Sequence, residues 1–122
     1  MGTMFFRQAV AALIVYDISK HETFDITAQW IDEVVGMEHN AVIALVGNKC
    51  DLEDKRTVTR REAEALVQTL ITEKHIPAFH MECSAKTGQN IENLFKEICI
   101  RLLVQAGLSV EAEDQTTATA TE

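Results

Sequence analysis

The chain has 122 residues, 47% hydrophobic and 25% charged, and a formal net charge of −8 at pH 7. This size and composition are typical of one globular domain. The acidic balance argues against nucleic-acid binding, which needs a positive surface. No apolar run reaches the ~18 residues of a membrane-spanning helix. The three cysteines show no disulfide spacing, so we expect a cytoplasmic location.

Three apolar runs predict the strands of a parallel sheet. The runs AVAALIVYD at 9–17 and NAVIALVGNK at 40–49 are almost continuous, and IPAFHMECSA at 76–85 alternates more. Near-continuous apolar strands are typical of a parallel sheet covered on both faces. Residues 1–8 are expected to be the end of a helix that leads into the first strand.

Apolar residues spaced three to four apart predict three helices. Their expected spans are 20–38, 59–74 and 90–106. Thr59 with Glu62, and Ser19 with Glu22, have the spacing of a capping box. Strands that alternate with helices form right-handed βαβ units, so we predict an α/β fold with three parallel strands and flanking helices.

The C-terminal segment differs in composition from the rest. Residues 108–122 are small, polar and acidic, with Glu111, Glu113, Asp114 and Glu122 and no basic residue. We therefore predict a domain at 1–107 followed by a disordered acidic tail at 108–122. The terminus lacks a cysteine for prenylation, so no direct membrane anchor is expected.

Two polar clusters follow the second and third predicted strands. They are Asn48, Lys49 and Asp51 after the second strand, and Ser84, Ala85 and Lys86 after the third. Ligands of open α/β sheets bind beyond the carboxyl ends of the strands. If these two strands are neighbours, the two clusters converge into one site.

The chemistry of the clusters suits a guanine base. Guanine offers adjacent donors at N1 and N2, which a carboxylate such as that of Asp51 accepts, and adenine lacks this pair. We expect Asn48 to donate to N7 and the Ala85 N–H to O6. We expect Ser84 to orient Asp51, while the stems of Lys49 and Lys86 cover the ring faces. Each cluster by itself is also compatible with a solvated loop, and their combination is what indicates guanine.

The same residues resemble the Ras-like small GTPases, and most closely the Rab subfamily. The matching stretches are FFRQAVAALIVYDISKHETF at 5–24, Trp30, VIALVGNKCDLEDKRTVTRREAEAL at 42–66 and ECSAKTGQNIENLFKEI at 82–98. The resemblance covers roughly residues 5–105. It implies a three-layer P-loop NTPase-like fold, GTP or GDP as ligand, and a role in vesicle traffic.

The phosphate-binding parts of that family are not found in this sequence. Its five glycines form no G-x-x-x-x-G-K-[ST] loop, and no Asp is followed by Gly three residues later. We interpret the chain as an N-terminally truncated GTPase domain without catalytic residues or a Mg²⁺ site. We expect no GTP hydrolysis, and weak or no nucleotide binding, by this chain.

The missing part has a structural consequence. In the family, the first sheet strand lies beside the strand that corresponds here to 9–15. Without it, residues 9–15 are expected to form an open apolar edge that pairs with a second copy. The alternative function is therefore a nucleotide-independent interaction module or a self-associating fragment.

Overall fold

The computed structural model describes residues 3–6, 9–38, 40–105 and 107. Among them, four strands form one sheet in the order β1-β2-β3-β4. The strands are β1 (Thr3–Phe6), β2 (Ala9–Asp17), β3 (Ala41–Asn48) and β4 (Ala78–Glu82). Strands β2, β3 and β4 are parallel, as the sequence predicts. The predicted tail at 108–122 lies outside the described residues.

The helices follow the predicted spans with one division. They are α1 (His21–Asp25), α2 (Thr27–Met37), α3 (Arg60–Thr72) and α4 (Ile91–Gln105), and a 3₁₀ segment covers Cys50–Lys55. The single helix predicted over 20–38 is two helices that meet at Ile26. In the described part of the chain, no helix is long and apolar enough to cross a bilayer.

Of the two predicted capping boxes, one is confirmed. At the start of α3, the Glu62 N–H donates to Thr59 Oγ1 and the Thr59 N–H donates to the Glu62 carboxylate. The box at Ser19 and Glu22 is wrong, because the Ser19 hydroxyl donates to Asp17 instead. Helix α1 consequently begins without a side-chain cap.

The sheet is buried on both faces. Side chains of β3 alternate between two apolar clusters, with Ile43 and Leu45 in one and Val42 and Val46 in the other. The first cluster includes residues of α2 and α3, and the second includes residues of α4. Each fully buried aliphatic side chain contributes about 1.5–3 kcal/mol, which explains why the β3 sequence is almost continuously apolar.

The start of the chain corrects two predictions. Residues 3–6 form a strand rather than the end of a helix, and they pair antiparallel with Ala9–Ala12. The edge predicted to be open over 9–15 is therefore covered over 9–12. The physical reason is that an apolar edge strand offers unpaired backbone groups, which the preceding segment of the same chain satisfies. Val15 lies beyond this pairing and is 38% exposed.

Candidate functional site

The carboxyl ends of β3 and β4 bring the two polar clusters together. The Cys83 N–H donates to the Gly47 carbonyl at 2.8 Å, and the Cys50 N–H donates to the Cys83 carbonyl at 3.1 Å. These bonds continue the parallel pairing past the end of β4. The segments after the two strands therefore run side by side, as expected for ligand-binding loops of an α/β sheet.

Ser84 and Asp51 form the most direct contact between the clusters. Ser84 is fully buried, and its hydroxyl donates to the Asp51 carboxylate at 2.7 Å. The same hydroxyl accepts from the Thr87 N–H at 3.1 Å. Asp51 itself is exposed. A carboxylate held in this way is oriented by a charge-assisted hydrogen bond and remains accessible to a ligand with paired donors.

Asn48 and Ala85 form a second contact. The Ala85 N–H donates to Asn48 Oδ1 at 3.2 Å. The sequence assigned this N–H to the O6 atom of guanine, and in the structure it is engaged by Asn48. A bound base must therefore share or displace that hydrogen bond. The amide nitrogen of Asn48 is the donor end of the side chain, which is the end that N7 of a purine requires.

Lys49 is placed by an acid that the sequence analysis did not include in the site. Its Nζ lies 2.9 Å from Asp17 Oδ2, and its backbone is left-handed, with φ of 67°. Burial works to raise the pKa of Asp17, but hydrogen bonds from Ser19 and Lys49 prevail and lower it to about 2. Asp17 pairs with Asn48 in the register of β2 and β3. The sequence feature that could have revealed this pair is an acid at the end of one predicted strand, Asp17, and a lysine at the end of the next, Lys49.

The remaining predicted residue, Lys86, is exposed in the turn that also contains Ala85.

The two thiols near the site, those of Cys50 and Cys83, are expected to be unreactive at neutral pH. Burial raises the pKa of Cys50, and it raises the pKa of Cys83 to about 11, so little thiolate forms at neutral pH. Among the described residues, no cluster of three or more His, Cys, Asp or Glu side chains is placed to hold a metal ion.

Behind the site, Gly47 allows β2 and β3 to approach each other. A Cβ added to Gly47 would lie 2.7 Å from the Tyr16 hydroxyl oxygen. Tyr16 is buried, and its hydroxyl lies 2.8 Å from His80 Nε2 in a hydrogen bond with β4. The glycine before Asn48 is thus required by the close approach of a neighbouring side chain.

The sequence matches the family model described as Ras family over residues 1–104. The chain belongs to the Ras family. Several of the relatives that it matches are named as Rab proteins. The chain is 44% identical over 103 residues to Ras-related protein Rab5 of Nicotiana tabacum, covering 84% of this chain and 48% of the relative. It is 41% identical over 105 residues to human Ras-related protein Rab-22A, covering 84% and 50%.

A more distant Rab protein matches over a longer stretch. Ras-related protein Rab-21 of Dictyostelium discoideum is 33% identical over 119 residues, covering 96% of this chain and 53% of the relative. The predicted resemblance to a Rab-like small GTPase is thereby confirmed. The chain spans about half the length of the curated relatives it matches.

Membership in the Ras family implies guanine nucleotides, with Mg²⁺, as ligands. The donor set at the ends of β3 and β4 fits the base of such a nucleotide. It combines an accessible carboxylate, that of Asp51, with the amide of Asn48 and the N–H of Ala85. The carboxylate and the Asn48 amide suit the edges of guanine, and the Ala85 N–H becomes a donor for the base when its bond to Asn48 is shared or released.

Proposed function

We propose that this chain carries the guanine-recognition half of a Rab-like GTPase. The observation that supports the proposal is the contact between Ser84 and Asp51, with the contact between Ala85 and Asn48 beside it. Asp51 accepts from N1 and N2 of the base, and Asn48 donates to N7. The Ala85 N–H donates to O6 by sharing or giving up its bond to Asn48 Oδ1. Lys49 and Lys86 cover the faces of the ring with their stems.

The wider role follows from kinship. We place the protein in the cytoplasm, in the GTP-dependent regulation of vesicle traffic. We propose that this chain contributes base contacts without a catalytic residue, and we therefore expect no GTP hydrolysis by it. A base pocket without phosphate contacts corresponds to millimolar affinity, or about −4 kcal/mol.

The experiment is a titration of the ¹⁵N-labelled chain with GDP, xanthosine diphosphate and ADP, followed by NMR. GDP should shift the amide signals of Asn48, Asp51 and Ala85, with a dissociation constant near the millimolar range. Asp51→Asn should reverse the preference, because xanthine has an oxygen where guanine has its N2 amino group, and an amide can donate to it. Asp54→Asn is the control, since Asp54 is exposed in the same 3₁₀ segment.

Two results would contradict the proposal. One is the absence of shifts at these amides with millimolar GDP. The other is an Asp51→Asn variant that prefers GDP as strongly as the wild type does. Micromolar or tighter binding of GDP would contradict the expected weakness and would mean that further contacts hold the phosphates.

A second candidate function is self-association. Three large apolar side chains, Val15, Ile26 and Trp30, are exposed around a cleft of about 240 Å³ beside the C-terminal half of β2. Exposed apolar surface of this kind favours an interface, here with a second copy of the chain. Sedimentation velocity tests it: Trp30→Gln should shift a dimer towards monomer, while Met37→Gln, also exposed on α2, should not. A monomeric wild type at high concentration would rule it out.

A further inference from the structure

We propose that the ion pair between Arg56 and Glu82 is a positioning clamp for the base site, and this inference rests on the proposed guanine recognition. Arg56 donates to both oxygens of Glu82, from Nη1 at 2.7 Å and from Nη2 at 2.6 Å. Both side chains are largely buried, with 12% of Arg56 and 8% of Glu82 exposed. A fork-to-fork pair of this type fixes orientation as well as distance.

The clamp joins the two segments that carry the site. Arg56 directly follows the 3₁₀ segment that contains Asp51. Glu82 is the last residue of β4, two positions before Ser84. The ion pair therefore joins the same segments as the bond from Ser84 to Asp51. The backbone bonds of Cys50 and Cys83 and the bond from Ala85 to Asn48 also join them. The ion pair adds two parallel, charge-assisted bonds, which fix orientation as well as distance.

Further contacts hold the clamp itself in place. Arg56 Nη1 also donates to the Val58 carbonyl at 2.8 Å, and Nε donates to Glu53 at 2.9 Å. At the Glu82 end, the side-chain Nδ2 of Asn90 donates to the Glu82 carbonyl at 2.8 Å, and Arg60 Nη2 lies 3.2 Å from the Glu82 carboxylate. Arg56 is thus anchored on its own segment, while Glu82 is held by Asn90 on its own side and by Arg60 of α3 on the Arg56 side. We infer that the clamp sets where the Asp51 carboxylate points before any ligand arrives.

A purely structural role would have a different signature. A buried ion pair that only stabilises the fold changes the global free energy of unfolding, and such pairs are often replaceable at little cost. A positioning clamp controls local opening of the two segments while the rest of the sheet stays closed. The two roles are separated by amide hydrogen exchange at different points of β3 and β4.

The experiment compares wild type with Arg56→Lys, which keeps the charge and loses the fork. The reporting amides are those of Cys50 and Cys83, which bridge the segments, and that of Ile43, which donates to Pro77 at the other end of the sheet. We expect exchange about ten-fold faster at Cys50 and Cys83, and less than about two-fold faster at Ile43. Equal acceleration at all three, or none at Cys50 and Cys83, would overturn the clamp.

Two further variants make the result unambiguous. Glu82→Gln keeps the shape of the acceptor and removes its charge, so it should give the same local pattern of faster exchange. It replaces Arg56→Lys as the test variant if Arg56→Lys does not fold. Arg101→Lys is the matched control, because Arg101 pairs with Glu97 at 2.7 Å and stacks on Phe79 away from the site. It should leave the exchange rates at Cys50 and Cys83 unchanged.

A nucleotide titration then separates this inference from the proposed function. Inosine diphosphate lacks the 2-amino group that Asp51 is proposed to accept from, so the ratio of GDP to IDP affinity reports the aim of that carboxylate. Arg56→Lys should reduce the ratio several-fold, and Arg101→Lys should not. Local exchange without GDP binding by any variant would refute the proposed function and leave the clamp standing. If the wild type binds GDP and Arg56→Lys has the same ratio of GDP to IDP affinity as the wild type, the clamp is refuted.

Discussion

Two neighbouring regions at the carboxyl end of the sheet differ in how their polar and apolar groups are used. At the ends of β3 and β4, side-chain hydrogen bonds and ion pairs link segments that are far apart in sequence. Beside the C-terminal half of β2, large apolar side chains are exposed around a cleft. In the first region, hydrogen bonds and ion pairs within the chain hold the side chains in place. The second region exposes apolar surface that a second copy of the chain can bury.

This difference indicates where binding energy is available in each region. A preorganised polar site gives specificity for a ligand at a small ordering cost. Exposed apolar surface gives affinity without much selectivity. We therefore expect substitutions in the polar region to cost more stability than substitutions on the exposed part of β2.

The largest effect is expected at Gly47, which couples the two regions. In Gly47→Ala, the new methyl group would overlap the Tyr16 hydroxyl and disturb its hydrogen bond with His80. We expect a loss of about 2–4 kcal/mol in the free energy of unfolding, measured with urea. Gly36→Ala is the control, since a Cβ there meets nothing within 4 Å, and it should stabilise α2 slightly. A Gly47→Ala variant as stable as wild type would show that the Tyr16 side chain moves aside without cost.

A pair of matched valine substitutions compares the regions directly. Val46→Thr places a hydroxyl in the buried end of β3 and should cost about 1–3 kcal/mol of unfolding free energy. Val15→Thr, on the exposed part of β2, should change it by less than about 0.5 kcal/mol. Equal losses in thermal or urea unfolding would mean that Val15 is buried in solution, as it would be in a stable dimer.

A smaller effect is expected at Ser84. Ser84→Ala removes the donor to Asp51 and the acceptor for the Thr87 N–H. Because Asp51 is exposed and recovers water, we expect a loss of about 1–1.5 kcal/mol in urea unfolding. Thr72→Ala removes an exposed hydroxyl bonded within α3 and should have a negligible effect. A Ser84→Ala variant with wild-type stability and GDP affinity would show that this contact does not order the site.

The smallest effect depends on pH and arises outside both regions. His21 lies 2.7 Å from Glu62 and 3.0 Å from Asp25, and hydrogen bonds with Glu62 and then Asp25 raise its pKa. The contribution of protonated His21 to the free energy of unfolding is therefore complete below about pH 6.5, the ordinary pKa of histidine. It is lost as pH rises through the pKa of His21 in the folded state. The difference in free energy of unfolding between wild type and His21→Gln, measured with urea, should therefore become smaller as pH rises above about 6.5. A constant difference for His21→Gln would contradict the expectation.

The sequence determined the parallel strands, the helices between them and the residues at the strand ends. These features depend on local information, because burial on both faces requires continuous apolar strands and a helix repeats its apolar face every three to four residues. The same local patterns carry the resemblance to the Ras family, which the family match over 1–104 confirms. The roles of Asn48, Lys49, Asp51, Ser84, Ala85 and Lys86 in base binding stay predictions.

Tertiary structure decided the contacts that place those residues. The pairing of Lys49 with Asp17, and that of Arg56 with Glu82, joins residues distant in sequence, and no local pattern specifies which charges meet. The pairing of Thr3–Phe6 with β2 has the same origin, since an unpaired strand edge is satisfied by whichever segment can reach it. Composition and periodicity therefore define which residues lie at the site, while the packing of the strands fixes where each side chain points.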